Sequence, residues 1–339
     1  MPVHQAHDIA GFLDLIRRRA ATTPEGQWIR TTTNWQELNL AERRMPTAAE
    51  RDRASDRHPI LVKRGGHNDV VNTLALRLAG ITEDTPTPPG GVIGRDEHGR
   101  LNGRLIDNAM GLVEHLVPAP DVATRIDGLR LASADYAATG IGTVRDCMVP
   151  LPDLAVLRAA REQGALSTRI RALVSTIGMT DPAQIEDVLD GMDDWRYRAD
   201  PLLHDTAEVE DCFWGPERVD RLFPARAWLD QGALVTADSD FPVGAYGAMR
   251  SVWGMVTRQT VTGVRGPEHA ITRAEAMVLH TVNAARLTGE SALRGTLNPG
   301  RLADLTLWPT DPTACPTDQL RDLNPTHTLL GGQSVHTAQ

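Results

Sequence analysis

The alternation of short apolar strands with helices constrains the fold more than any other feature of this sequence. The alternating segments are helix 121–138, turn and strand 140–146, helix 154–164, strand 168–175, helix 183–192, helix 217–232 and strand 233–237. Repeated βα units of this kind build a parallel sheet with helices packed on it. The last strand ends in Asp238-Ser239-Asp240, and polar residues after a strand are typical of an active-site rim in a barrel.

The first hundred residues also mix helices with a strand. Four apolar residues recur at the i, i+3, i+4 and i+7 spacing of one helix face: Ile9, Phe12, Leu13 and Ile16. The run 60–62 is a short apolar strand that ends in the glycine turn before His67. The segments 69–79 and 104–116 are predicted as two further helices.

Two signals define the C-terminal part of the chain. Thr272 and Glu275 have the spacing of a capping box, which predicts a helix that begins there and reaches about Leu287. The residues after 295 alternate turns with short apolar runs, so they predict a small β-sheet appendage.

Charge and cysteine content exclude several classes of protein. The formal net charge is -9 and the basic residues form no block, so a nucleic-acid partner is not expected. No run approaches the roughly 20 apolar residues of a membrane helix, so no membrane is expected either. The three cysteines lie far apart in sequence and fit neither a zinc pattern nor a disulfide framework. They predict reduced thiols and a cytoplasmic location.

Several motifs, in this order along the chain, resemble the amidohydrolase superfamily, and most closely its family 3, which includes N-substituted formamide deformylase-like enzymes. The motifs are GGHNDVVNTLALRLAGI at 65–81, GRLNGRLIDNA at 99–109, GIGTVRD at 140–146, GPERVDRLFPARAWLDQGA at 215–233, VTADSDFPV at 235–243 and GTLNPGRLADLTL at 295–307. The resemblance implies an α/β fold, namely an incomplete or distorted (β/α)8 TIM-like barrel with a small β-sandwich appendage. The barrel is expected over 1–294 and the C-terminal strands of the β-sandwich domain over 295–339.

The resemblance also implies a chemistry, in which a divalent metal, usually zinc, activates the water that attacks a C–N bond of a small amide. The family aspartate that binds this metal or takes the proton from the water falls on Asp240. The family's His-x-His pair and mid-barrel ligands have no match here, and the junction near 201–211 is too short for the missing strands. The chain is therefore expected to be truncated and internally deleted relative to the family, with His204, in the shortened junction, as the candidate for an improvised ligand.

Other residues have a functional and a structural interpretation. His67 and Asn72 suit substrate contact, and the structural alternative for the histidine is a hydrogen bond within its loop. Arg145 either lines the pocket or pairs with Asp146. Asp240 could also cap a turn.

Three functions stay open at this point. The chain is either a metal-dependent amidohydrolase that hydrolyses non-peptide C–N bonds, or a catalytically inactive relative that binds a small molecule or a partner. In a third alternative, a homo-oligomer shares ligands and covers open sheet edges.

Overall fold

The computed structural model describes residues 1, 3–33, 35–174, 197–199, 202–241 and 245–338. These residues form two compact units, Met1–Ala119 and Pro120–Gln339. Within the described ranges, no helix combines the length and the apolar character that crossing a membrane requires. The predicted boundary between residues 294 and 295 stays a prediction.

The first unit combines short helices with one mixed sheet. Its helices are α1 (Ile9–Ala20), α2 (Ala48–Ala54), α3 (Thr73–Leu78) and α4 (Gly111–Glu114). Its strands are β1 (Ile29–Arg30), β2 (Ile60–Arg64), β3 (Asn68–Val71), β4 (Gly91–Arg95) and β5 (Leu101–Asp107). The sheet order is β1-β2-β3-β5-β4, in which β1 and β2 are parallel and the other neighbours are antiparallel.

Helix α1 confirms the periodicity of the sequence. The Asp8 carboxylate caps it by accepting a hydrogen bond from the Gly11 N–H at 2.7 Å. The predicted apolar face is buried: Ile9, Phe12, Leu13 and Ile16. Strand β2 divides its side chains between two cores, since Ile60 and Val62 join the core that contains α1 and Leu61 joins a core that contains α3.

For two segments of this unit, the prediction of a helix is wrong in the first half of the segment, which is a strand. The segment 69–79 begins in β3 and becomes helical only in α3, and the segment 104–116 begins in β5 before α4. Short apolar runs do not separate a strand from a buried helix by periodicity alone. The first of these segments begins as a strand because β3 pairs antiparallel with both β2 and β5.

The second unit contains the predicted βα alternation. Its helices are α5 (Val122–Ala138), α6 (Leu151–Glu162), α7 (Leu202–Trp214), α8 (Pro216–Val219), α9 (Ala225–Asp230), α10 (Ala248–Thr257), α11 (Arg273–His280), α12 (Val282–Leu287) and α13 (Thr317–Leu320). Its strands are β6 (Thr143–Val149), β7 (Arg169–Val174), β8 (Tyr197–Ala199), β9 (Val235–Ala237), β10 (Gln259–Thr260), β11 (Gly263–Val264), β12 (Leu305–Leu307), β13 (His327–Leu330) and β14 (Gln333–Thr337).

The α/β class is confirmed, but the described strands do not close a barrel. The parallel pair β6–β7 and the parallel pair β8–β9 are separate two-stranded sheets among the residues that the structure describes. The predicted helix 183–192 lies outside these residues. At the C-terminus, β12, β13 and β14 form an antiparallel sheet, which agrees with the predicted β-strand appendage.

The predicted capping box is present at the start of α11. The Thr272 hydroxyl accepts from the Glu275 N–H at 3.2 Å, and the Glu275 carboxylate accepts from the Thr272 N–H at 2.8 Å. The helix does not run unbroken to Leu287, because Thr281 leaves the helical region at φ -119° and ψ -83° and α12 starts after it. Helices α10 and α11 share a buried core with β9.

Candidate functional site

The candidate site lies at the turn that follows β9. Val235 at the start of this strand is fully buried, and its carbonyl accepts a hydrogen bond from the Asn283 side-chain amide at 2.8 Å. Asp240, the predicted metal ligand and base, is exposed just beyond the strand and has a positive φ of 44°. Its backbone N–H donates to Asp238 Oδ1 at 3.1 Å. The turn therefore presents one carboxylate to solvent and uses the other as an internal acceptor.

A partly buried histidine, His280, lies near this turn. His280 Nε2 is 2.9 Å from the Ser251 hydroxyl oxygen. Burial lowers the pKa of His280 to about 4, and the negative charge of Asp238 opposes that shift. His280 is therefore neutral near pH 7. Nothing local in the sequence connects His280 with residues 238–240, so only the structure reveals this neighbour.

His204, the predicted improvised ligand, lies in α7 and is partly buried. Its Nδ1 is 2.8 Å from the Gln259 carbonyl oxygen, and its ring packs edge-to-face against Trp253 with centroids 4.9 Å apart. The hydrogen bond places the proton on Nδ1, because a carbonyl can only accept. His204 thus has a structural role in tying α7 to β10, and its role as a metal ligand stays a prediction.

Arg145, the predicted substrate contact of the second unit, lies on β6. It is exposed, and in the β6–β7 pairing it stands opposite Arg171. Arg171 already forms an ion pair with the Glu290 carboxylate, so this strand pairing does not by itself make an anion site. The contact of Arg145 with substrate stays a prediction.

In the first unit, His67 is paired with a carboxylate that the sequence alone did not connect to it. His67 Nδ1 is 2.7 Å from Asp107 Oδ1, and the Asp107 N–H donates to the His67 carbonyl at 3.2 Å. Asp107 has a positive φ of 49°, which is uncommon for a residue with a side chain. The two residues are 40 positions apart and meet only because β3 pairs with β5. The pair fixes the ring of an otherwise exposed histidine.

Asn72 has a structural role. Its side chain is fully buried, and its Oδ1 accepts from the Ile60 N–H at 3.0 Å and from the Ala75 N–H at 3.1 Å. Its Nδ2 donates to the His58 carbonyl at 3.0 Å. The amide thereby caps α3 and secures the start of β2, and its predicted contact with substrate stays a prediction.

The described residues do not fit a complete zinc centre. Within the described ranges, no group of three or more His, Cys, Asp and Glu side chains is placed to hold one metal ion. Catalytic zinc has three protein ligands in most enzymes. Asp240, the predicted ligand, is exposed, while His204 is bound to a backbone carbonyl through Nδ1.

Comparison with known proteins identifies the ancestry of the chain. The model of the amidohydrolase family matches residues 1–212 and 188–336. N-substituted formamide deformylase of Arthrobacter pascens is 25% identical over 440 positions, which cover 94% of this chain and 81% of that protein. The putative amidohydrolase YtcJ of Bacillus subtilis (strain 168) is 35% identical over 108 residues, or 32% of this chain and 20% of that protein.

The deformylase alignment also shows a difference in length. It spans 440 positions, whereas the whole chain has 339 residues, so more than a hundred positions of that relative have no counterpart here. The two matches to the family model overlap at 188–212, a range that contains the predicted junction.

A solved structure agrees with the fold. An uncharacterized metal-dependent hydrolase from Pyrococcus horikoshii OT3 superposes with a TM-score of 0.67 at 16% identity, covering 94% of this chain and 83% of that one. At this identity the likeness concerns the fold alone. The family match extends over nearly the whole sequence, and the chain belongs to the amidohydrolase family.

Proposed function

We propose that this chain is a hydrolase of small amides that cleaves a carbon–nitrogen bond other than a peptide bond. The observation that carries the proposal is the placement of Asp240, in a chain of the amidohydrolase family, on an exposed turn at the carboxyl end of a buried strand. The carboxyl ends of strands are where α/β folds place their chemistry. A carboxylate in this position can take a proton from a water molecule that attacks the amide carbon.

The name of the deformylase relative suggests the type of substrate. That relative acts on N-substituted formamides by its name, and we propose a formamide or another small amide as the substrate of this chain. We further propose that His67, oriented by Asp107, and Arg145 contact substrate. A histidine ring fixed through Nδ1 presents Nε2 for a hydrogen bond, and a guanidinium group can bind a carbonyl oxygen.

A divalent metal, with zinc as the expected ion, is part of the proposal by family resemblance. Asp240 would be one ligand and His204 the second. The alternative is a catalytically inactive relative that binds a small molecule or a partner. It is favoured by one observation, namely that the described residues bring no three candidate ligands together.

The metal content of the folded full-length chain separates these two alternatives. Elemental analysis is made on the wild type, on Asp240→Ala and on the control Asp311→Ala, which removes another exposed loop carboxylate with only local hydrogen bonds. Zinc near one equivalent in the wild type and the control, and its loss in Asp240→Ala, supports the metal-dependent hydrolase. Absence of metal from the folded wild type refutes metal dependence and leaves the inactive relative.

The same preparation tests self-association. Light scattering on the purified chain gives its mass in solution. A dimer or larger assembly supports the proposed homo-oligomer, and a monomer refutes it.

A further inference from the structure

Asp240 has a backbone conformation that is uncommon for a residue with a side chain. Its φ of 44° lies in the left-handed region, which aspartate visits mainly where a short polar side chain hydrogen-bonds locally. Such a conformation persists when surrounding contacts determine it. The direction of the Asp240 carboxylate depends on its backbone, and therefore on the contact that holds this backbone in the turn after β9.

The Asp238 side chain makes this contact. Its Oδ1 accepts the Asp240 N–H at 3.1 Å, while the neighbouring Ser239 hydroxyl accepts the Phe241 N–H at a longer 3.4 Å. Hydrogen bonds to a charged acceptor are stronger than those between neutral groups. The Asp238 carboxylate is therefore the stronger of the two side-chain acceptors within this turn.

The strand that precedes Asp238 is held by a buried side-chain amide. Asp238 directly follows β9, whose first residue is held by the Asn283 amide, 2.8 Å from the Val235 carbonyl oxygen. The charge of Asp238 also acts on the partly buried ring of His280, whose Nε2 is 2.9 Å from the Ser251 hydroxyl oxygen. The acceptor for the Asp240 N–H thus directly follows a strand that is hydrogen-bonded to a buried amide.

We propose that Asp238 is a positioning residue, whose Oδ1 holds the Asp240 backbone and thereby directs the Asp240 carboxylate toward substrate. The proposal rests on the proposed function for the chemical role of Asp240, but the contact itself is independent of that role. Asp238 does not touch the reacting atoms. In this proposal, Asp238 affects the reaction through the conformation of the turn.

The test uses matched variants of the full chain. Asp238→Asn retains an Oδ1 acceptor, Asp238→Ala removes it, and Ser239→Ala removes the weaker neighbouring acceptor as a control. The first measurement is the exchange rate of the Asp240 amide proton by NMR. Asp238→Ala should speed this exchange about fivefold, Asp238→Asn should give a rate between those of the wild type and Asp238→Ala, and Ser239→Ala should stay near the wild type. Equal exchange in Asp238→Ala and the wild type would overturn the proposal, as would equally fast exchange in the alanine and asparagine variants.

The second measurement is the hydrolysis of an N-substituted formamide by the same proteins. Asp238→Ala should lower kcat about fivefold or more with KM unchanged, and Asp238→Asn should restore most of it. A parallel loss in both variants would contradict positioning through Oδ1. If the wild type does not hydrolyse the amide while the exchange rates follow the expected order, the proposed function fails and the positioning contact stands.

Discussion

Replacing Asp69 by asparagine should stabilise the first unit at alkaline pH. The Asp69 side chain on β3 is only 1% exposed, and no group among the described residues donates a hydrogen bond to its two carboxylate oxygens. Lys63 Nζ lies 3.5 Å from Asp69 Oδ1 and also contacts the Glu114 carboxylate. Burial raises the pKa of Asp69 from 3.8 to about 6, although Lys63 lowers it and Glu114 adds to the increase.

The size and the sign of the effect follow from this shift. A difference of about 2 pKa units corresponds to roughly 3 kcal/mol between the two protonation states. Because the pKa of Asp69 is higher in the folded chain, its contribution to stability is fully present below pH 3.8 and is lost as the pH rises through about 6. Asparagine is uncharged at every pH, so it avoids this loss at pH 8 and makes little difference near pH 4.

Hydrogen exchange of the β3 peptide in the full chain measures the effect. We expect Asp69→Asn to raise the opening free energy by up to about 3 kcal/mol at pH 8 and by less than about 1 kcal/mol at pH 4. Lys63→Met is the control of opposite sign, since it removes the attraction on the ionised Asp69 and should destabilise more at pH 8 than at pH 4. A gain from Asp69→Asn that is equal at both pH values, or a loss at pH 8, would refute the reasoning.

Two further substitutions test contacts within single units. Arg51→Met should lower stability by at least about 2 kcal/mol in urea denaturation, because the fully buried Arg51 donates to the Val71 carbonyl at 2.6 Å, whereas the exposed Arg53→Met on the same helix should be nearly neutral. Asp304→Asn should cost about 1–2 kcal/mol at pH 7, because Asp304 accepts two bonds from Arg169 at 3.1 and 3.2 Å. Hydrogen bonding lowers the pKa of Asp304, so this difference should disappear as urea denaturation is repeated at falling pH.

Each of these predictions has a contradicting outcome. Equal destabilisation by Arg51→Met and Arg53→Met would mean that the buried guanidinium group makes no specific contribution. If Asp304→Asn lowers the free energy of unfolding as much at pH 3 as at pH 7, its effect comes from the shape of the side chain and not from its charge.

The parts of the fold that depend on local signals could be predicted from the sequence. The face of α1 and the capping box of α11 use residues within one or two helical turns of each other, so their spacing identifies them. Strands β3 and β5 could not be recognised in this way. Their identity depends on antiparallel neighbours that are distant in sequence, and their apolar runs are compatible with helices.

The candidate functional residues also divide into those that a local motif predicts and those that only tertiary contacts reveal. Asp240 is found from the motif around it, which is contiguous in sequence. In each unit, the contacts of the candidate residues join positions that are distant in sequence: Asp107 meets His67 across 40 positions in the first unit, and Ser251 meets His280 across 29 in the second. A sequence motif identifies the residue that carries the chemistry, whereas the contacts that orient it are set by tertiary packing.

The measurement that tests the central claim most directly is formate release from an N-substituted formamide by the full-length chain, with and without added zinc. We expect turnover by the wild type, its loss in Asp240→Ala and its retention in Asp311→Ala, because the reaction is assigned to the carboxylate after β9. Formate release that is unchanged in Asp240→Ala, or absent from the folded wild type under both conditions, would contradict the account.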